Sequence, residues 1–301
     1  MSKIVIGSEL VKELRERTGG GLLECKKALE FTGGDVNAAA EKLRKDGAVK
    51  ADKKSSRVAA DGIIIVQSSE DARTAIMLEI NCETDFVAKD VTFRRFAEAV
   101  ASIGLAAEVS DVVALMGLPV PGESKTIADL RGELVAKVGE NVNVRRLALM
   151  KAVGNSVIGT YVHGNRIGAL VNSSVNDKVL NKDLAMHIVA SRPIAVRSSE
   201  IPVDVISKEK EIYLAQAKDS GKPLEIIEKM VSGRLQKFVD ELTLLNQAFV
   251  RNVDVKISDL LKNVGAEVFG FVRFEVGEGI DKETSDFVTE VMAQVESNKQ
   301  R

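Results

Sequence analysis

An α+β fold is predicted for the 301-residue chain. It comprises a small N-terminal three-helix module, a two-subdomain α/β core of antiparallel strands with an internal pseudo-repeat, an inserted antiparallel helical hairpin and a C-terminal helical tail. Three observations predict it. Glycine runs punctuate helically spaced apolar residues over positions 1–47. A strand, hairpin and helix order then occurs twice, around TAIMLEIN at 74–81 and RIGALVN at 166–172. Two long helical patterns between Ile201 and Asn246 meet at DSGKP, residues 219–223, whose glycine and proline break the run.

In the N-terminal module, Ser8 is placed to cap a helix whose Leu10, Val11 and Leu14 share a face. TGGG at 18–21 ends it, because glycine accepts positive φ. Leu22, Cys25 and Leu29 mark a second helix, which stops at Thr32-Gly33-Gly34. Asp35 caps a third, with Val36, Ala39 and Leu43 inward and Gly47 as its end. So small a core suits a docking module better than a catalytic domain. The polar and basic AVKADKKSSR at 48–57 reads as a linker.

Beyond it, GIIIVQ at 62–67 and TAIMLEIN flank the polar turn SSEDAR and read as two antiparallel strands. TDFV at 84–87 leaves the second. Asp90 or Thr92 starts a helix with Phe93, Phe96, Ala97 and Val100 inward, and Thr126 caps another carrying Ile127, Leu130, Leu134 and Val138. Strands follow at VNVRRLALM, VIGTYV and RIGALVN, the last two joined by HGN at 163–165; a helix with Leu184 and Ile188 comes next. Setting LEIN at 78–81 against ALVN at 169–172 brings AVAS at 99–102 within two residues of register with IVAS at 188–191, a weak internal repeat. A helix at 258–264, a strand at 266–276 and a polar tail containing Phe287, Val288, Val291 and Met292 complete the chain. The expected boundaries are 1–50 for the module, 58–140 for one core half, 141–195 with 246–280 for the other, 196–245 for the hairpin and 281–301 for the tail.

Composition narrows the function. With 42 basic against 44 acidic residues there is no global attraction for nucleic acid, and 4% aromatics leave few stacking platforms. No apolar run reaches the roughly 18 to 20 residues of a membrane span, so the expected compartment is the cytoplasm. The two cysteines, Cys25 and Cys82, form no CxxC pair. A Cys82 nucleophile would need His163 or His187 as its base, yet Cys82 alternates with Leu78 and Ile80, where a small thiol packs well; His187 is read as a packed histidine. Glu79, Glu83 and Asp85 alternate along the strand and read as a solvated polar face, with no metal motif. SGKP at 220–223 lacks the upstream glycine and following Ser or Thr of a phosphate loop. No cofactor, metal or catalytic residue is expected, and weight shifts to a binding protein. The competing readings are a thiol enzyme using Cys82 with His163, and RNA binding by the lysines at 50–57. Phe86, which follows three polar residues, is on pattern alone either a core aromatic or an exposed one.

Eight blocks, in order, resemble the bacterial elongation factor Ts family over essentially the full length. They are LVKELRERTGGGLLECKKAL at 10–29, AADG at 59–62, NCETDFVAKD at 81–90, GENVNVRR at 139–146, HGNRIGALV at 163–171, AMHIVAS at 185–191, SGKP with EKMVSGR at 228–234, and GFVRFEVGEGI at 270–280. The stretch at 110–125 and the tail depart from the family pattern. The resemblance implies a UBA-like N-terminal module that docks on elongation factor Tu, a pseudosymmetric core, a helical arm and guanine-nucleotide exchange in place of enzymatic chemistry. It implies that Thr84, Asp85, Phe86 and Val87 displace Mg²⁺ from the partner, with Phe86 entering a gap between partner side chains. Arg15, Thr18, Gly19, His163 and Gly164 are implied as further partner contacts. The helical hairpin is either a buttress of the core or a surface that pairs two copies.

Overall fold

The computed structural model describes residues 6–218 and 223–281. The expected tail beyond Asp281 and most of the DSGKP junction lie outside these residues. In the N-terminal module, α1 (Ser8–Thr18), α2 (Leu22–Phe31) and α3 (Val36–Lys54) close over Val11, Leu14, Cys25, Leu29 and Ala39. Gly19, at φ 66°, ends α1, and Asp35 Oδ1 caps α3 by accepting from the Asn37 and Ala38 amides. Two expectations fail here. Ser8 gives no cap; Gly7 stands at that position without a side-chain bond. Gly47 does not end α3, which runs seven residues further to Lys54, so most of the expected linker is helix. The reason is packing. A Cβ on Gly47 would lie 3.3 Å from the Gly132 carbonyl oxygen, so this glycine serves close helix approach to the core.

The first core half contains β1 (Asp61–Ser68), β2 (Thr74–Cys82), α4 (Asp85–Lys89), α5 (Val91–Ala106), α6 (Val112–Gly117), α7 (Ile127–Val138) and β3 (Val142–Lys151). The strands form an antiparallel sheet in the order β1-β2-β3. One face of β2 sends Ile76, Leu78, Ile80 and Cys82 against Phe93, Phe96 and Val100 of α5 and Leu134 and Val135 of α7. Its other face sends Ala75 and Met77 toward the second sheet. Burial on both faces explains why TAIMLEIN is almost continuously apolar. Asp90 caps α5 through the Thr92 and Phe93 amides, and Thr126 with Asp129 forms a capping box on α7. The strand from 142, expected in the second half, instead pairs with β2, Leu147 opposite Leu78, and completes the first sheet.

The second half contains β4 (Val157–His163), β5 (Ile167–Ser173), α8 (Lys178–Ser191), α9 (Val203–Lys218), α10 (Leu224–Leu242), β6 (Ala248–Phe249), β7 (Asn252–Lys256), α11 (Ile257–Asn263) and β8 (Val268–Glu275). Its main sheet has the order β4-β5-β8, also antiparallel. Each sheet is thus a hairpin whose second strand receives a third after a helical insertion, which is the structural form of the internal repeat. The hairpin of α9 and α10 closes over Tyr213, Leu214, Ala217, Ile227 and Val231.

The two sheets meet through Ile64, Met77, Ile158, Leu170 and Phe274. Gly168 permits the approach, since a Cβ there would stand 2.6 Å from Ile64 Cγ2. Their common edge is tied by charge. Glu79, fully buried, accepts from Arg145, Arg146, Asn81 and the Gly277 amide. Burial alone would raise its pKa; these bonds more than reverse that and hold it below 4.5. The expectation of a solvated face at Glu79 is therefore wrong. The strand is covered on both sides, and the carboxylate is kept ionised by the Gly277 amide, Asn81 and two arginines supplied by the neighbouring strand.

Candidate functional site

β2 ends at Cys82, and the chain turns out through Glu83 and Thr84 into the five-residue α4. Thr84 Oγ1 accepts from the Val87 amide at 3.4 Å, which starts the helix. Val87 and Ala88 turn inward against the α5 core, so Phe86 must point away. Its ring is 80% exposed. Beside it, Asp85 Oδ2 pairs with Lys89 Nζ at 2.6 Å, and that hydrogen bond holds the Asp85 carboxyl below its usual range. Asp90 ends α4 and begins α5, anchoring the far side. An aromatic ring is thereby held in water on a short helix fixed at both ends.

Glu140, in the turn between α7 and β3, accepts from the Glu83 amide at 3.1 Å, the Thr84 amide at 3.0 Å and the Thr84 hydroxyl at 2.7 Å. Glu83 answers by accepting from the Asn141 amide at 2.6 Å. Sequence reasoning missed Glu140. The signal was the GEN triplet at 139–141, quoted as part of a resemblance but given no task.

His163 is the last residue of β4, not the first of the turn, and its exposed ring has Nδ1 3.3 Å from the Tyr161 hydroxyl. Gly164 follows at φ 56°. The turn is held to β1, with Ile64 N donating to Asn165 O at 2.7 Å and Arg166 pairing with Asp61 at 2.9 Å. Asp61 lies opposite Cys82 in the β1–β2 register. The His163–Gly164 turn and the Thr84–Val87 segment therefore leave the core from the same end of the first hairpin. Arg15, Thr18 and Gly19 lie elsewhere, at the end of α1. Arg15 is exposed, and Thr18 is turned inward to donate to Leu14 O and accept from Gly20 N. Next to them Leu22 and Leu23 are 59% and 70% exposed. Leu22 was read as helix spacing only, and Leu23 drew no reading. A cavity of about 430 Å³ between this corner, α3 and α7 is lined by Thr18, Gly19, Phe31, Lys42 and Lys137.

Cys82 is fully buried and donates its thiol hydrogen to Thr84 O at 3.1 Å. Burial, with the Glu140 and Asp61 carboxylates nearby, pushes its pKa up to about 12. A thiol so protonated is no nucleophile, and the Cys82–His163 enzyme reading falls with it. His187 is packed, its Nε2 2.9 Å from Gln247 Oε1. Among the described residues, no three His, Cys, Asp or Glu side chains group to hold a metal ion, and no helix is long and apolar enough to cross a membrane.

The family model described as Elongation factor TS matches residues 83–278, from the Glu83 turn to the end of the Glu79 network. The chain belongs to the elongation factor Ts family. It is 52% identical to the elongation factor Ts of Thioalkalivibrio sulfidiphilus over 97% of this chain and 99% of that protein. It is 51% identical to that of Legionella pneumophila over 96% and 98%, and 51% identical to that of Methylococcus capsulatus over 97% and 99%. The family match takes in α4, the third strand of the first sheet, the whole of the second main sheet and the helical hairpin. The full-length elongation factor Ts relatives also cover the N-terminal module.

Proposed function

We propose that the chain is the guanine-nucleotide exchange factor for elongation factor Tu. It binds the GDP complex, displaces Mg²⁺, opens the nucleotide site and leaves when GTP enters. Membership of the family supports the partner, and the exposed, fixed ring of Phe86 is the observation that carries the mechanism. No bond of a substrate is broken. Bound GDP is held by phosphate contacts and Mg²⁺, so a binder that separates the groups carrying them needs contacts available only in the opened state. Phe86, with its ring already out of the core, gains such a contact when it enters a gap in the partner. Burying it contributes roughly 1.5 to 3 kcal/mol, or about one to two decades in affinity. By reciprocity, nucleotide rebinding weakens this chain's hold by the same factor, and that makes exchange catalytic.

Thr84 and Asp85 orient the ring, the first as cap and the second through Lys89, while Val87 seats the helix on the core. His163 and Gly164 extend the same contact from the neighbouring turn. Arg15, Thr18 and Gly19, with the exposed Leu22 and Leu23, form a docking surface on the 1–50 module, which recruits the partner before Phe86 engages. The site of action is the cytoplasm. Release of fluorescent GDP from elongation factor Tu, followed in stopped flow, tests the reading: acceleration by catalytic amounts of the full chain is expected. Release at the spontaneous rate would sink it.

A further inference from the structure

We infer that Glu140 is a positioning residue for exchange: it sets the direction of the Phe86 helix from outside the segment that carries the ring. The inference rests on the exchange-factor reading above. A helix of five residues has almost no stability of its own, so something beyond α4 must fix its axis. Its N-terminal side leaves the Glu83 and Thr84 amides without helical partners. One carboxylate takes both, with Glu140 Oε2 at 3.1 Å and 3.0 Å, and its negative charge suits that end of a helix.

The third bond decides the cap. The Thr84 hydroxyl has one hydrogen and gives it to Glu140 Oε1 at 2.7 Å, which leaves its lone pairs to face the Val87 amide. Without that acceptor the hydroxyl is free to turn and the cap loses its orientation. The turn carrying Glu140 is itself held. Gly139 adopts φ 80° to end α7, and its carbonyl accepts from Lys54 Nζ at the end of α3. Asn141 Nδ2 donates to Arg57 O at 2.8 Å, and the Arg57 guanidinium pairs with Glu83 at 3.5 Å. The 139–141 turn thus joins the last helix of the N-terminal module to the Phe86 helix, and Glu140 is its link to the latter.

The test uses the full chain with Glu140→Gln, Phe86→Ala and the double variant in the GDP-release assay. Glu140→Gln keeps the size but loses the charge and one acceptor. Exchange is expected to fall about tenfold, as for loss of a charge-assisted hydrogen bond. If Glu140 acts through the ring, the double variant exchanges no more slowly than Phe86→Ala alone, within about twofold. The Thr84 and Val87 amides of Glu140→Gln should also exchange hydrogen faster than in the wild type while those of β5 do not. An unchanged rate overturns the inference, as does a loss that multiplies with that of Phe86→Ala. If Glu140→Gln does not fold, Glu140→Asp, which withdraws the carboxylate by one methylene, is expected to give the same pattern. A wild-type chain that fails to accelerate release sinks the exchange reading; amide protection at Thr84 and Val87 still decides the role of Glu140.

Discussion

Phe86 presents its ring to water on a helix whose next two side chains turn inward, and the two cysteines of the chain do the opposite. Cys25 and Cys82 are both buried, and burial pushes the Cys82 thiol up to about 12. A thiol reagent at pH 8 should therefore leave the native protein unlabelled and react with both cysteines after unfolding; rapid native labelling of Cys82 would contradict the packing role. His187 makes a second prediction at this scale. Its Nδ1 accepts from the Val250 amide at 3.2 Å, so the proton sits on Nε2, facing Gln247. Burial lowers its pKa below 6.5, against the opposing bond to Gln247. The unfolded chain then takes up a proton that the folded one refuses. Stability is full above pH 6.5 and declines as pH falls from there toward the folded value. Urea unfolding at pH 7.5 and 5.5 should show this decline, reduced in His187→Gln; an equal decline in both proteins would assign it to other groups.

Gly159 and Gly168 both set how closely elements approach, and they differ in what yields. A Cβ on Gly159 would lie 2.6 Å from the Asn181 carbonyl oxygen, so α8 must move as a body. A Cβ on Gly168 meets Ile64 Cγ2 at 2.6 Å and Met77 Sδ at 2.9 Å, and the Met77 side chain is flexible. Overpacking costs about 1 to 3 kcal/mol, and Gly159→Ala is expected at or above the top of that range with Gly168→Ala below it. Equilibrium unfolding of the two variants gives the order, and the reverse order would show that the sheet interface is the stiffer one. At this scale the sequence was readable wherever a local signal decides. Runs rich in branched residues between polar turns named β1, β2, β4 and β5, and Asp35, Asp90 and Thr126 cap the helices assigned to them. It misled at Gly47, where a residue that usually stops a helix instead lets α3 pass close to α7.

For the whole molecule, what was not legible depends on partners distant in sequence. β3 pairs with β2 across four intervening helices, and three of the four groups that donate to the Glu79 carboxylate lie 66 or more positions away. Neither fact leaves a periodic mark on its own segment. The same holds for the site. The odd composition of ETDF drew attention to Phe86, but Glu140, 56 residues from Thr84, is visible as its support only once the turn is folded beside it. Chain and site share one logic: β2 is buried on both faces, and the segment leaving it carries an apolar ring that the core does not use. The central claim is that this ring loosens the Mg²⁺ of elongation factor Tu. Its most direct test is stopped-flow release of fluorescent GDP, comparing the wild type with Phe86→Ala in millimolar Mg²⁺ and in excess EDTA. The account predicts that Phe86→Ala slows release about ten- to a hundredfold in Mg²⁺ and that EDTA largely removes the difference. Equal rates in Mg²⁺, or an undiminished difference in EDTA, would contradict it.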